Sequence, residues 1–295
     1  MKIVFCNGGL ANQVFQYIFY RYAQINAPAE EWLLDDSFFF IHNIHNGYEL
    51  EKVFNLHPIK LSQKFESDVW NYMITLKKEH NKSIPQLLLE NGTDINMIVE
   101  GNTQEKWNPF NGVKFSIKVN DFNPSVILID GNIYYHGYWI NSEWFTAIKN
   151  VIENELSFPE IDEPHNIEYI KKIKEAKSCS IHIRRGDYTT LGVSLQDHVY
   201  KDAIRRMTDL VGDFTIFVFS DDIPYCKAHI HEIGLDLVNE IVFIEGNRKE
   251  KAFRDMQLMS HCKYMINGNS SFCYLASILN QNLQLMSAVS PNRLI

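Results

Sequence analysis

Cysteine is scarce and badly placed for cross-linking. The five residues Cys6, Cys179, Cys226, Cys262 and Cys273 are odd in number, far apart and lack any Cys-x-x-Cys spacing. A disulfide framework is excluded, and free thiols in a reducing, cytoplasmic setting are expected. Long apolar runs are missing too: none approaches the roughly eighteen residues of a spanning helix, so contact with a membrane would be peripheral. The opening Met1-Lys2-Ile3-Val4-Phe5-Cys6 starts like a secretory leader. Asn7-Gly8-Gly9 ends it early and no small-residue cleavage site follows, so no leader is expected. Asn81-Lys82-Ser83, Asn91-Gly92-Thr93 and Asn269-Ser270-Ser271 fit the glycosylation pattern, which carries meaning only in a secreted chain. Basic clusters are few and short (Lys171-Lys172, Arg205-Arg206) in a chain of net charge −8, which argues against a nucleic-acid groove. There is no short-period repeat and no low-complexity tract.

What is present is a sizeable core. At 295 residues and 45% hydrophobic content, two domains are expected. The acidic, two-proline segment Phe158-Pro159-Glu160-Ile161-Asp162-Glu163-Pro164 has no periodicity and marks the boundary, giving domains 1–158 and 159–295. In the second half, strands at 179–183, 214–219, 241–244, 264–266 and 284–288 alternate with helices near 198–211, 225–233, 249–260 and 271–279. That alternation predicts an α/β fold with a parallel sheet covered by helices. In the first half a strand at 3–6, a turn at Asn7-Gly8-Gly9 and a helix at 12–25 come first. The helix is apolar nearly all round, as a segment packed on most sides would be. Trp32-Leu33-Leu34-Asp35-Asp36 reads as a strand ending in two carboxylates, either an acid pair or a solvated end. A helix is expected near 68–78 and a strand at 125–130, but the region 38–123 has no clear order. The aromatics of Tyr134-Tyr135-His136-Gly137-Tyr138-Trp139 fit either a sugar-stacking surface or core filling.

The chemistry centres on Ser180-Ile181-His182-Ile183-Arg184-Arg185-Gly186-Asp187-Tyr188, a strand that stops in two adjacent arginines. Ligands of open α/β sheets bind at the carboxyl ends of strands, and guanidinium forks match phosphate oxygens. The competing interpretation makes Asp187 the counter-ion in a structural turn at Gly186. Alternation puts Arg184 on the His182 face, and so makes it the more sensitive arginine. Ser220-Asp221-Asp222 ends the next strand. Its adjacent carboxylates are not an Asp-x-Asp metal site and no histidine cluster completes a ligand set. Asp222 is expected to cap a helix and Asp221 to hold an arginine. Asn267-Gly268-Asn269-Ser270-Ser271-Phe272 joins a strand to a helix, an arrangement that caps the helix, binds a phosphate, or both. At the amino terminus, Gly8 and Gly9 let backbone amides approach a ligand, though neither Gly-x-Gly-x-x-Gly nor a Walker lysine is present. A plain tight turn accounts for them equally well.

Taken together these runs resemble the α-1,2-fucosyltransferases, glycosyltransferase family 11. Gly8-Gly9-Leu10-Ala11-Asn12-Gln13-Val14-Phe15-Gln16-Tyr17, His136-Gly137-Tyr138-Trp139-Ile140-Asn141-Ser142-Glu143, the arginine run, the Ser220-Asp221-Asp222 turn and the region 255–280 occur in that family's order. The resemblance spans nearly the whole chain. It implies a GT-B-like fold of two Rossmann-like domains facing a central cleft, an acceptor-side amino-terminal domain and a donor-binding carboxy-terminal one. It further implies GDP-fucose as donor and metal-independent, inverting transfer to the 2-hydroxyl of a galactose-type acceptor. That acceptor would be an oligosaccharide or lipid-linked glycan, in glycan or surface polysaccharide synthesis. Departures are Ala11 for a usual glycine, Val14 for methionine, and Cys273-Tyr274-Leu275-Ala276-Ser277 for Ser-Trp-Trp-Gly-Ala. They bear chiefly on the acceptor.

Breaking the bond to the diphosphate loads it with negative charge while the sugar becomes oxocarbenium-like. With no cofactor and no metal expected, Arg184 and Arg185 are the electrostatic stabilisers, helped by Ser270, Ser271 and the helix end. The resemblance adds His182 and Asp255 for guanine and Asn12 at the junction of donor and acceptor. The donor-binding set is thus Gly9, His182, Arg184, Asp221, Asp255, Asn269, Ser270, Ser271 and Phe272. Asp35 and Glu143 are candidate bases, although a dissociated transition state needs no strong one. The rivals are a non-catalytic sugar-nucleotide or glycan-binding protein and a nicotinamide-dependent oxidoreductase. The missing Gly-x-Gly-x-x-Gly argues against the second.

Overall fold

The structure, a computed structural model, describes residues 1–42, 44–101, 115–119 (backbone) and 121–289. It divides into two compact units, Met1–Ser157 and Phe158–Ile295. Each is built on a five-stranded parallel sheet, which makes the chain α/β with two Rossmann-like units, the GT-B-like plan.

The first sheet contains β1 (Lys2–Phe5), β2 (Trp32–Asp35), β3 (Asn96–Glu100), β4 (Phe115–Val119) and β5 (Ile133–His136), in the order β2-β1-β5-β3-β4. All four positions of β1 and of β2 are buried, as in a parallel sheet covered on both faces. The helix Leu10–Asn26 follows β1 and buries residues all round, from Leu10 and Gln13 to Tyr22 and Ala23. Ile3, Leu33, Trp70, Ile84, Met97 and Tyr134 form a core on the sheet. The helix expected near 68–78 runs Ser67–His80. In this unit one expectation fails and one of two alternatives is ruled out. Residues 125–130 are not a strand: Pro124–Leu128 is a 3-10 helix, started by the fixed φ of Pro124 and by Asn123, whose Oδ1 accepts from Ser125 N at 3.2 Å. The end of β2 is not solvated, since Asp35 is 0% and Asp36 5% exposed.

The second sheet contains β6 (Ser178–Ile183), β7 (Thr215–Ser220), β8 (Glu240–Phe243), β9 (Tyr264–Asn267) and β10 (Leu285–Ala288), in the order β10-β9-β6-β7-β8. Counted from β6, this is the Rossmann order 3-2-1-4-5 with its mirror halves assigned to β8, β7, β6, β9 and β10. The strand order therefore reverses between β6 and β9. Ile181, Ile183, Ile216, Val218 and Ile266 are buried in one core, each contributing about 1.5–3 kcal/mol. The alternation read in β6 persists, but Ser180 and His182 are buried as well, because helices cover both faces. The helix expected at 225–233 is interrupted at His229 into Ile223–Ala228 and Ile230–Ile233. The one at 249–260 is reduced to Phe253–Met259, after a 3-10 turn whose Lys249 has φ +51°. No helix among the described residues is long and apolar enough to cross a membrane.

Candidate active site

In an open α/β sheet, the carboxyl ends of the strands flanking a reversal of order form the natural ligand crevice. In the second unit those strands are β6 and β9. The loop after β6 begins with Arg184 and Arg185, which lie beyond the strand's last residue, Ile183, so strand alternation does not assign their directions. Arg184 is fixed by two carboxylates: its Nη2 lies 2.8 Å and its Nε 3.0 Å from Asp187 Oδ1, and its Nη1 3.0 Å from Asp221 Oδ2. Arg185 is fixed differently. Its guanidinium lies 3.6 Å from the centre of the Tyr225 ring, and its backbone N–H donates to Asp221 Oδ1 at 2.9 Å. The guanidinium of Arg185 has no carboxylate partner among the described residues, and its buried Nε has no hydrogen-bond acceptor there.

Asp221 thus binds both arginines, and it also explains Gly186. A Cβ at Gly186 would sit 2.5 Å from Asp221 Oδ2, so any side chain there would displace the carboxylate that holds Arg184. Asp222 caps the helix Ile223–Ala228, its Oδ1 accepting from Tyr225 N at 3.1 Å. One aspartate therefore orders the arginines and its neighbour orders the ring beneath Arg185. Among the described residues no group of three His, Cys, Asp or Glu is placed to hold a metal ion.

The loop after β9 packs directly on the end of β6. A Cβ at Gly268 would come 3.0 Å from the His182 carbonyl, and the His182 ring lies 5.6 Å from that of Phe272. Ser270 caps the helix Ser271–Ile278, its hydroxyl accepting from Phe272 N at 3.3 Å. Ser271 is the first residue of that helix. Asn269 Nδ2 donates to Val193 O at 2.8 Å, while its side-chain Oδ1 and Nδ1 of His182 are buried without partners among the described residues. Burial, and then the charge of Arg184, push the His182 pKa down to about 3, so the imidazole is neutral at physiological pH.

Asp255 belongs to a different cluster. Its Oδ1 accepts from Asn247 at 2.8 Å, and Asn247 in turn exchanges hydrogen bonds with Asn166. Burial raises the Asp255 pKa to about 7 against the opposing pull of Asn247. Next to Asn247, Arg248 donates to the Asp221 carbonyl at 3.3 Å, a third cation on this rim that motif reasoning passed over. Tyr225 was missed as well. Its signal was an aromatic placed three residues beyond the capping aspartate.

Gly9 and Asn12 belong to the first unit. Gly8, with φ +76°, rather than Gly9, is the residue that must be glycine: its Cβ would lie 2.7 Å from Asn12 Nδ2. The turn is secured by two buried glutamines of the following helix. Gln13 donates to Gly8 O and to Gly47 O at 2.9 Å each, and its Oε1 accepts from Glu49 N at 2.8 Å. Gln16 donates to Asn7 Oδ1 at 2.7 Å and to Gly137 O at 3.0 Å, and accepts from Asn7 N at 2.9 Å. Of the two candidate bases, Asp35 is buried and accepts from Tyr134 Oη at 2.5 Å and Ser37 N at 2.9 Å. Glu143 is exposed in the first turn of the helix Ser142–Ala147.

Residues 89–290 match the family model "Glycosyl transferase family 11". The chain belongs to glycosyltransferase family 11. It is 30% identical over 296 residues to an alpha-1,2-colitosyltransferase of Escherichia coli, with 96% of this chain and 89% of that protein covered. It is 26% identical to the O-antigen biosynthesis glycosyltransferase WbnK of Escherichia coli, with coverages of 97% and 92%. Among solved structures, POFUT1 in complex with GDP is similar at 14% identity, TM-score 0.49 and 98% coverage of each chain. The fucosyltransferase NodZ from Bradyrhizobium is similar at 12% identity and TM-score 0.48, with 94% and 92% covered. The protein is accordingly a glycosyltransferase.

Proposed function

We propose that this glycosyltransferase moves L-fucose from GDP-fucose to the 2-hydroxyl of a galactose-type acceptor, with inversion and without a metal, in the synthesis of a glycan or surface polysaccharide. The observation that carries this is the pair Arg184 and Arg185, held in fixed orientations by different means at the reversal point of the second sheet, beside the capped helix that follows β9. A diphosphate that gains charge as its bond to the sugar breaks calls for preorganised cations and amides of this kind. The edge that Arg184 turns to the exposed Asp187 is the edge a phosphate would compete for, whereas Arg185 needs no carboxylate displaced. Ser270, Ser271 and the amides of the helix they open add donors to the same rim. Neutral His182, together with Asp255, Asn269 and Phe272, is the nucleotide side of the site. Asp221 acts through the arginines it holds. Neither Asp35 nor Glu143 is needed as base if the sugar is largely dissociated in the transition state.

The relative named for colitose supports a second reading of the donor sugar. Colitose is fucose without its 3-hydroxyl, so the same nucleotide and phosphate contacts serve both. The α-1,2 linkage in that name and the O-antigen in the other support the linkage and the polysaccharide setting.

The test is to incubate the purified protein with GDP-fucose or GDP-colitose and a panel of β-galactosides, and to read product linkage by NMR. A 2-linked fucosyl product is expected, with GDP and not nicotinamide dinucleotides protecting against thermal unfolding. Preference for GDP-colitose would replace the donor. Tight GDP binding with neither transfer nor donor hydrolysis would make the chain a sugar-nucleotide-binding protein.

A further inference from the structure

Of the aromatics in β5 and the loop that follows it, three are spent on packing. Tyr134, Tyr135 and Trp139 are at most 2% exposed, and Trp139 stacks on Phe19 with centroids 4.0 Å apart and planes 10° from parallel. Tyr138 stands apart at 43% exposure. It lies just past the carboxyl end of β5, and β5 adjoins β1 where the order of the first sheet reverses. Ligands of α/β sheets are met at such a position.

The backbone beneath Tyr138 is held unusually firmly. Glu100, the last residue of β3, accepts from Tyr138 N at 2.7 Å and from Trp139 N at 2.6 Å through one oxygen. Trp139 has φ +55°, a left-handed conformation that a bulky residue adopts only when its surroundings impose it. A Cβ at Gly137 would lie 2.5 Å from that of Glu100, so the loop closes on the carboxylate only through glycine. From the other side, Gln16 donates to Gly137 O. A strained loop clamped between a carboxylate and an amide, with its tryptophan anchored in the core, has one side chain left to present. A tyrosine there offers an apolar ring with a wet polar edge. The face of galactose that carries its axial 4-hydroxyl on the far side is a patch of C–H groups that such a ring covers.

We infer that Tyr138 is the platform on which the galactose ring of the acceptor rests, and that Glu100 is the positioning residue that sets its angle. The identity of the sugar rests on the function proposed above; the platform itself does not depend on the donor. The inference thus assigns an acceptor subsite wholly within the first unit.

The experiment compares wild type with Tyr138→Ala, Tyr138→Phe and Glu100→Gln. Lactose binding is read by saturation-transfer NMR, acceptor KM by transfer from GDP-fucose, and donor use by GDP-fucose hydrolysis without acceptor. Tyr138→Ala is expected to weaken lactose binding and raise acceptor KM by about tenfold, with donor hydrolysis unchanged. Tyr138→Phe should stay within about twofold of wild type, since the ring is kept. Glu100→Gln should raise acceptor KM at constant kcat, whereas a merely structural Glu100 would lower the melting temperature and leave KM alone. Unchanged lactose binding in Tyr138→Ala, or a wild type that binds no β-galactoside, overturns the platform. If lactose binding is lost in Tyr138→Ala while GDP-fucose is never used, the donor assignment fails and the platform stands.

Discussion

Arg185 lies with its guanidinium 3.6 Å from the centre of the Tyr225 ring, and nothing acidic among the described residues neutralises it. An ammonium would keep the charge but lose both the flat contact and the fork. Arg184→Lys and Arg185→Lys are each expected to lower kcat by at least about 100-fold while GDP affinity falls far less, the loss typical of one preorganised donor. Initial rates, GDP titrations and melting curves of the two variants side by side check this. If Arg184→Lys instead melts lower and turns over normally, its pairing with Asp187 is only a turn staple.

The carboxylates of the Asp221-Asp222 turn are committed, one to Arg184 and the other to capping a helix. Turnover in excess EDTA is therefore expected to stay within about twofold of the untreated rate. A loss beyond about tenfold, reversed by manganese or magnesium, would reassign the pair as metal ligands.

Asp255 and His182 pull the pH dependence of stability in opposite directions. Asp255 binds its proton more tightly folded, with a pKa of about 7 against an ordinary 3.8, so its contribution is lost as pH rises through that window. His182, lowered to about 3 from 6.5, loses its contribution as pH falls from 6.5 towards 3. Asp255→Asn removes only the first. Its unfolding free energy should gain on wild type by up to about 1.4 kcal/mol per pH unit between pH 4 and 7. Urea titrations across that range test it, and parallel curves for the two proteins would refute the raised pKa.

Arg254 is 2% exposed and gathers the start of the second unit: it donates to the Pro159 and Glu160 carbonyls at 2.7 Å each and pairs with Glu163 at 3.0 Å. Arg254→Ala leaves those groups unpaired and is expected to cost about 3–5 kcal/mol. Limited proteolysis should then cut within residues 158–163, where wild type resists. Equal stability and the same cleavage pattern would contradict this role.

The alternation of strands and helices in the second half was legible because parallel strands are short apolar runs with helices between them. The ends of β6, β7 and β9 were therefore placed to within a residue or so, and with them His182, the arginines, Asp221 and Ser270. What escaped notice is non-local. Asp35 and Asp36 look like a wet strand end until Tyr134, 99 residues on, and Ser62 supply the donors that let them be buried. The strand at Asn96–Glu100 was hidden in a region read as irregular, and with it the carboxylate that holds Tyr138. Residues 125–130 show the opposite failure, an apolar run that proline and a capping asparagine wind into a 3-10 turn.

Gln13 and Gln16 each use both ends of their amides, giving two hydrogen bonds and taking one. Glutamate has the length but no donors, lysine has donors but no acceptor, and asparagine falls one carbon short. These two positions therefore have no conservative replacement. Because they bind Asn7, Gly8, Gly47, Glu49 and Gly137, three stretches of chain far apart in sequence share one pair of fastenings. A change near Gly47 should thus be felt at the turn beside Tyr138, and variation in any one of the three must be accommodated by the other two.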